Sequence, residues 1–391
     1  MDKVRFGMIG AGNIGQMHIK NFMEGKIGDG VLTAVADLVP EKLAAVKEKY
    51  KDNPLLNNVQ FFHDDEELIA SGACDVVIIG VPHYFHPPIA IKAMKAGLNV
   101  VSEKPAGVYT RQVKEMIAES KKHDTLFGIM FNQRMNPYFK KMREIIASGQ
   151  LGQIKRTNWI ITDWYRAQSY YDSGDWRGTW SGEGGGVLFN QAPHNIDLFW
   201  WITGMVPTKV RAFCHFGKWH DIEVEDDVTA YFEYENGATG CFITTTGDLP
   251  GTNRFEVTGT RGKLVYEDKK LIWTKAPVDE REYNLTAKEG MKRVPCETEV
   301  ITIDEPNPAH SGILTNVARA ILGKEPLYAK GEEGLNGVEM ADAMLLSAWT
   351  GKEVSLPIDD DLYYEELMKR VKTSRRKEGV AAVLTDLEGT Y

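Results

Sequence analysis

The chain has 391 residues, 43% of them hydrophobic and 26% charged, which is the composition of an ordinary globular protein. That length exceeds what one hydrophobic core usually supports, so two domains are expected. A formal net charge of -9 argues against a nucleic-acid partner or an anionic membrane surface, since either would favour a basic face.

The N-terminus, MDKVRFGMIGAG, runs almost directly into an apolar strand, without the charged start and long apolar stretch of a secretory signal. Six short runs rich in Val and Ile follow, at 4–10, 31–37, 59–62, 75–81, 98–103 and 125–131. Between them lie helical patterns such as PEKLAAVKEKY, with proline in its first turn, and HPPIAIKAMKAG, closed by Gly97. Strands apolar on both faces with helices between them imply a parallel sheet covered on both sides. The rhythm is that of a doubly wound, dinucleotide-binding Rossmann domain, expected over 1–132.

Beyond about residue 132 the pattern changes. After a helix closed by Gly149, long alternating strands dominate: QIKRTNWIITDW, TKVRAFCHF, DDVTAYFEYENG, ATGCFITTT and NRFEVTGTRGKLVYE. Val228, Ala230, Phe232 and Tyr234 should share one face, with Thr229, Tyr231 and Glu233 opposite, and Asn236-Gly237 should supply the positive φ angles of a tight hairpin turn. Helices return at about 191–203, 310–323, 334–350 and 360–374. An α+β domain on a large, mostly antiparallel open sheet is therefore expected over 133–391, giving an α/β protein overall. The most apolar late stretch, LFWWITGMV (198–206), is too short to span a bilayer. Four widely separated cysteines (Cys74, Cys214, Cys241, Cys296), with no C-x-x-C pair, suit reduced thiols in a soluble, cytoplasmic protein.

Gly10, Gly12 and Gly15 have the G-x-G-x-x-G spacing between a strand and a helix. Gly10 permits the turn, Gly12 lets the backbone approach a pyrophosphate, and the helix start with Asn13 and Ile14 supplies amide donors. Asp37 ends the second strand, where a carboxylate accepts from ribose hydroxyls and repels a 2′-phosphate; NAD is favoured over NADP. The clusters VPHYFH (Val81, Pro82 and His86 among them), EKP (Glu103, Lys104, Pro105) and NQR (Asn132, Arg134) follow the fourth, fifth and sixth strands. All lie at the carboxyl ends of the sheet, where ligands bind.

The stretches GMIGAGNIG, GVPHYFHPPIAIKAMKAGLNVVSEKPAG and GGGVLFNQAPHNIDLFWWITG together resemble the Gfo/Idh/MocA family of NAD(P)-dependent oxidoreductases, over essentially the whole chain. The resemblance implies action on sugars, inositols or related polyols, with Lys104 and His194 as the catalytic residues and a cis Lys104–Pro105 bond. It places His86 in a loop near the cofactor and implies a homodimer or homotetramer through the second sheet. Asn190 departs from the family pattern, which usually has an aspartate there. An amide can hold a hydroxyl but cannot take its proton, so the acid/base role falls on His194.

The chemistry of the two residues supports that assignment. Lysine near a nicotinium cation has a lowered pKa and can hydrogen-bond the reacting oxygen, and histidine can take and return the proton. Asp197, one turn after His194, is expected to orient the imidazole. The substrate wall is expected in 162–186, where Trp164, Tyr165, Trp176 and Arg177 suit a carbohydrate ring. Trp159, Trp200 and Trp201 are read as core, as are Met130, Met135 and Met142. His83 and His86 have a metal-like spacing, but the resemblance makes His86 a loop residue near the cofactor, and His215 and His220 have no cysteine partners, so neither pair is read as a metal site. Glycoside cleavage through transient oxidation at C3 would use the same two residues, Lys104 and His194; a non-catalytic NAD-binding sensor is the weakest alternative, because both are present.

Overall fold

The computed structural model describes residues 3–375 and 377. Its first sheet contains β1 (Val4–Ile9), β2 (Gly30–Ala36), β3 (Gln60–Phe62), β4 (Val76–Ile79), β5 (Asn99–Ser102) and β6 (Phe127–Ile129), in the order β3-β2-β1-β4-β5-β6. Every pairing is parallel. Helices cover both faces, so a central strand such as β4, with sequence VVII, is buried throughout. The acid-rich helix Asp65–Ala70 is capped by a side chain: Asp64 accepts a hydrogen bond from Glu67 N at 2.8 Å. The strand order reverses between β1 and β4, which opens a crevice at their carboxyl ends.

The second sheet has nine strands: β7 (Ile154–Ile161), β8 (Lys209–Phe216), β9 (Glu225–Glu233), β10 (Thr239–Thr245), β11 (Asn253–Gly259), β12 (Gly262–Glu267), β13 (Lys270–Lys275), β14 (Glu297–Ile301) and β15 (Val354–Ser355). Their order is β14-β13-β12-β11-β7-β10-β9-β8-β15, antiparallel except for the β7–β10 pair. In β9 the expected faces are found, with Val228, Ala230 and Phe232 inward and Thr229 and Tyr231 outward. The inner face carries Trp159 stacked on Phe255 at 4.3 Å, with Phe199 packed against Phe232, Phe242 and Phe255. Phe199 belongs to the helix Pro193–Trp201, so this aromatic layer anchors the helix that carries His194.

The β9–β10 turn differs from expectation. Only Gly237 has positive φ (81°), and Gly237 N donates to Tyr234 O at 3.0 Å. This is a turn closed by one left-handed glycine, in which Asn236 keeps ordinary backbone angles. Strands β13, β14 and β15 were not anticipated. β14 (ETEVI) is a polar, almost wholly exposed edge, and β15 has only two residues, so neither has a strand's apolar alternation.

The chain beyond 132 does not stay with the second sheet. Helices Ala309–Ile321, Gly334–Thr350 and Asp360–Thr373 return to the first: Arg319 and Lys324 pair with Asp29, Lys114 pairs with Asp360 at 2.7 Å, and Thr110 N donates to Asp342 Oδ2 at 2.9 Å. The crevice itself is walled by both halves of the chain, the second contributing residues between Trp164 and Gln191.

Candidate active site

The glycine loop is shaped by close approach. Gly10 has φ 96°, and a Cβ there would lie 2.5 Å from Gly80 O. A Cβ on Gly15 would lie 1.9 Å from Gly10 O, so helix and strand meet only because position 15 lacks a side chain. A Cβ on Gly12 would meet nothing within 4 Å. That glycine faces open space, at the start of a helix (Asn13–Met23) with no side-chain cap. Uncapped amides beside an open backbone form a cradle that fits a pyrophosphate. Asp37 is pinned beside it, its Oδ2 accepting from Ala11 N at 2.7 Å and its Oδ1 from Val39 N at 2.9 Å. Lys42 Nζ lies 3.6 Å from the same carboxylate.

Lys104 leaves β5 through a cis bond to Pro105, as expected. Its Nζ donates to Asn190 O at 2.9 Å, tying the first half of the chain to the second. Burial pulls the ammonium pKa down to about 8; Glu103 opposes the shift, while Arg166 and Arg177 add to it. Glu103 is buried, which alone would raise its pKa, but its 2.7 Å hydrogen bond with His18 Nε2, together with the charges of His18, His310 and Lys104, holds it below the usual carboxylate value. His86 lies between two loops, with Nδ1 2.7 Å from Pro105 O and Nε2 2.8 Å from Val81 O. A neutral imidazole has one N–H, so it donates to one of these carbonyls at a time.

The opposite wall comes from the irregular segment before the helix Pro193–Trp201. Arg177 Nη1 donates to Tyr170 Oη at 2.6 Å, Tyr170 Oη donates to Asn190 Oδ1 at 3.1 Å, and Asn190 Nδ2 donates to Glu183 Oε1. Glu183 Oε2 also accepts from Gly178 N at 2.6 Å, and burial raises its pKa. The position where the family usually has an aspartate is thus one hydrogen bond from a buried carboxylate.

One cleft of about 870 Å³ gathers most of the anticipated residues. Gly10, Gly12, Asn13, Ile14, Asp37, Val81, Pro82, His86, Glu103 and Lys104 line it, together with Trp164, Trp176, Arg177 and Asn190. Four anticipated residues do not line it. Tyr165 is exposed outside it, and His194 is buried behind the wall, only 1% exposed. Burial, then the charge of Lys104, then His310, hold the His194 pKa well below its ordinary value, so the ring is neutral at pH 7. Asn132 is wholly buried, with Nδ2 3.2 Å from His310 Nδ1. Arg134, also buried, donates to Asp197 at 2.8 and 2.6 Å and to Glu333.

The Arg134 pair adds a role for Asp197. Both Asp197 oxygens accept from Arg134, a bidentate pairing that satisfies the buried guanidinium, so Asp197 is engaged in that ion pair. His18 and His310 escaped the sequence reading. His18 stands one turn after Gly15, where its period marks only a buried helix face, and no local motif announces His310. Trp159 and Trp201 are core, as are Met130, Met135 and Met142. His220 contacts Asp226 at 3.0 Å.

Comparison with known proteins agrees with this arrangement. Residues 4–131 match the profile of an oxidoreductase family with an NAD-binding Rossmann fold, and residues 139–265 match the GFO/IDH/MocA C-terminal domain. Myo-inositol 2-dehydrogenase of Thermotoga maritima is 28% identical over 268 residues, 67% of this chain and 74% of that protein. Inositol 2-dehydrogenase of Rhizobium meliloti is 22% identical over 90% of this chain and 99% of its own length. Among solved structures, the WlbA dehydrogenase of Bordetella pertussis, in complex with NADH and UDP-GlcNAcA, superimposes with a TM-score of 0.76 at 25% identity, covering 92% of this chain and 99% of that one. A levoglucosan dehydrogenase bound to NADH and levoglucosan superimposes with a TM-score of 0.74 at 21% identity, over 91% of this chain and 100% of that one, a likeness of fold alone. The chain belongs to the Gfo/Idh/MocA family of oxidoreductases.

Proposed function

We propose that the protein oxidises a secondary hydroxyl of a sugar, inositol or glycoside, with Lys104 polarising the reacting oxygen and His194 acting as acid and base. The observation that carries this reading is the position of Lys104. It lies in the cleft that runs from the open glycine cradle to the aromatic and arginine wall, with its ammonium held at about 8. NAD, when bound, supplies the hydride acceptor; Gly10, Gly12, Asn13 and Ile14 would hold its pyrophosphate and Asp37 its ribose. The pinned carboxylate of Asp37 favours NAD over NADP.

Lys104, charged at neutral pH, donates a hydrogen bond to the substrate oxygen and stabilises negative charge developing there. His194 is kept unprotonated by burial, which is the form a base needs, and receives the hydroxyl proton once substrate binding opens the wall in front of it. The relatives named as inositol dehydrogenases support the reaction class. Cys74, Cys214, Cys241 and Cys296 are all free, which supports a cytoplasmic setting. No helix among the described residues is long and apolar enough to cross a membrane. The outer face of the second sheet exposes Phe213, Tyr231 and Ile160, which supports assembly through that face into a homodimer or homotetramer.

The test is absorbance at 340 nm with purified protein and NAD, or NADP, across sugars, inositols and glycosides, beside Lys104→Ala. NADH appearing with one substrate class, faster with NAD and lost in the variant, is the expected result. A changed sugar without NADH would favour internal recycling of the hydride, and no change in any mixture would overturn the reading.

A further inference from the structure

The cleft is charged oppositely at its two ends. Asp37, Glu41, Asp64 and Asp65 line the end beside the glycine loop, where Lys42 and Lys92 face them. Beyond Lys104 the lining turns cationic, with Arg166 and Arg177. Arg166 Nη1 donates to Tyr165 O at 2.8 Å and Arg177 Nη1 to Tyr170 Oη at 2.6 Å; no carboxylate of the described residues lies within 4.0 Å of either guanidinium. No acid of the same segment pairs with them directly, although the charges of buried Glu183 and Arg177 act on each other. Asp172 and Asp175 are exposed and outside the lining, and Glu183 is buried behind it, bonded to Asn190 and Gly178.

Arg5, Arg134, Arg254 and Arg319 each meet a carboxylate, whereas the cleft arginines, like Arg143 and Arg211, bond to uncharged oxygens. Two aromatic faces hold each cleft guanidinium in place. Arg166 lies 5.8 Å from the Trp164 ring and 5.2 Å from that of Tyr170, and Arg177 lies 4.4 Å from Trp176 and 4.5 Å from Tyr170. Their remaining donors are without a protein acceptor among the described residues. Three cations in one half-enclosed space repel one another, a cost that the buried carboxylates Glu103 and Glu183 offset in part and an anionic ligand would offset further. A neutral polyol needs hydroxyl partners, which Asn, Gln and Tyr supply; planar guanidinium forks match carboxylate or phosphate oxygens.

We infer that the substrate is an anionic carbohydrate, its carboxylate or phosphate held by Arg166 and Arg177 while a neutral carbinol faces Lys104. This rests on the dehydrogenase reading and narrows it. The anion also screens the repulsion of the two arginines on Lys104, so substrate binding helps keep the lysine protonated.

The test compares D-glucose, D-glucuronate and D-glucose 6-phosphate, and D-galactose with D-galacturonate, in two assays on the NAD-loaded full chain. One is NADH formation at 340 nm; the other is binding by calorimetry. An acid or phosphate should bind on the order of ten- to a hundredfold more tightly than its neutral parent. The preference should weaken with added salt, fall about tenfold or more in Arg166→Gln, and partly return in Arg166→Lys. Glucuronate against glucose 6-phosphate tells carboxylate from phosphate. Turnover of neutral sugars equal to that of their acids overturns the inference and leaves the dehydrogenase standing. Tighter binding of an acid with neither NADH nor a changed sugar supports the inference and counts against the dehydrogenase. No anion binding better than its parent overturns the inference whatever the turnover.

Discussion

Replacing Lys104 by methionine should abolish turnover and make the fold more stable. Folding carries the ammonium from water into the cleft floor and lowers its pKa from 10.5 to about 8. That interval corresponds to a penalty of up to about 3 kcal/mol on the charged form. The side chain keeps an edge open to the cleft, so water screens part of this. Methionine also loses the 2.9 Å bond to Asn190 O, a loss of about 1 kcal/mol. A net gain on the order of 1–2 kcal/mol should remain at pH 7. Its sign follows from the depressed pKa. The penalty is full below about 8, where folded and unfolded lysine are both charged, and it declines as pH rises from about 8 towards 10.5, because the folded lysine loses its proton first. Urea unfolding of both proteins at pH 7 and at pH 10 measures this. The variant should lead at pH 7 and lose most of its lead at pH 10. A variant less stable at pH 7, or a lead unchanged by pH, would refute the reasoning.

Further outcomes follow from the same geometry. In kcat/KM against pH, the alkaline limb should fall near pH 8 as Lys104 loses its proton; Arg177→Gln removes a cation that lowers this pKa, so its limb should move to higher pH. Gly15→Ala should fail to fold properly, since its Cβ would lie 1.9 Å from Gly10 O, whereas Gly12→Ala should melt like the parent yet bind NAD at least tenfold more weakly by fluorescence titration. Asp197→Ala leaves the Arg134 guanidinium buried with only Glu333 and should cost roughly 3–5 kcal/mol in urea unfolding.

What the sequence disclosed and what it withheld have physical reasons. The six parallel strands were legible because Val- and Ile-rich runs such as VVII are buried on both faces, and β9 because its faces alternate strictly. The edge strand β14 was not, since an exposed edge needs no apolar period. Lys104 and the glycine loop were legible because their chemistry is local: a turn, a helix start, a strand end. Arg134 was read as a ligand for substrate from its place after β6, but partners 63 and 199 residues away, Asp197 and Glu333, claim it. The bonds from Tyr170 through Asn190 to Glu183, and the His18–Glu103 pair spanning 85 residues, likewise join positions that only the folded chain brings together. Long-range pairing of polar groups leaves no period in a sequence.

The most direct test of the central claim follows the hydride itself. The protein would be incubated with NAD and a substrate deuterated at the carbinol carbon, and the NADH recovered for mass spectrometry, in parallel with Lys104→Ala shown by fluorescence to bind NAD. Hydride transfer under Lys104 predicts deuterated NADH from the parent and essentially none from the variant. Deuterated NADH formed equally by both proteins would contradict the role of Lys104, and unlabelled NADH would contradict hydride transfer from that carbon.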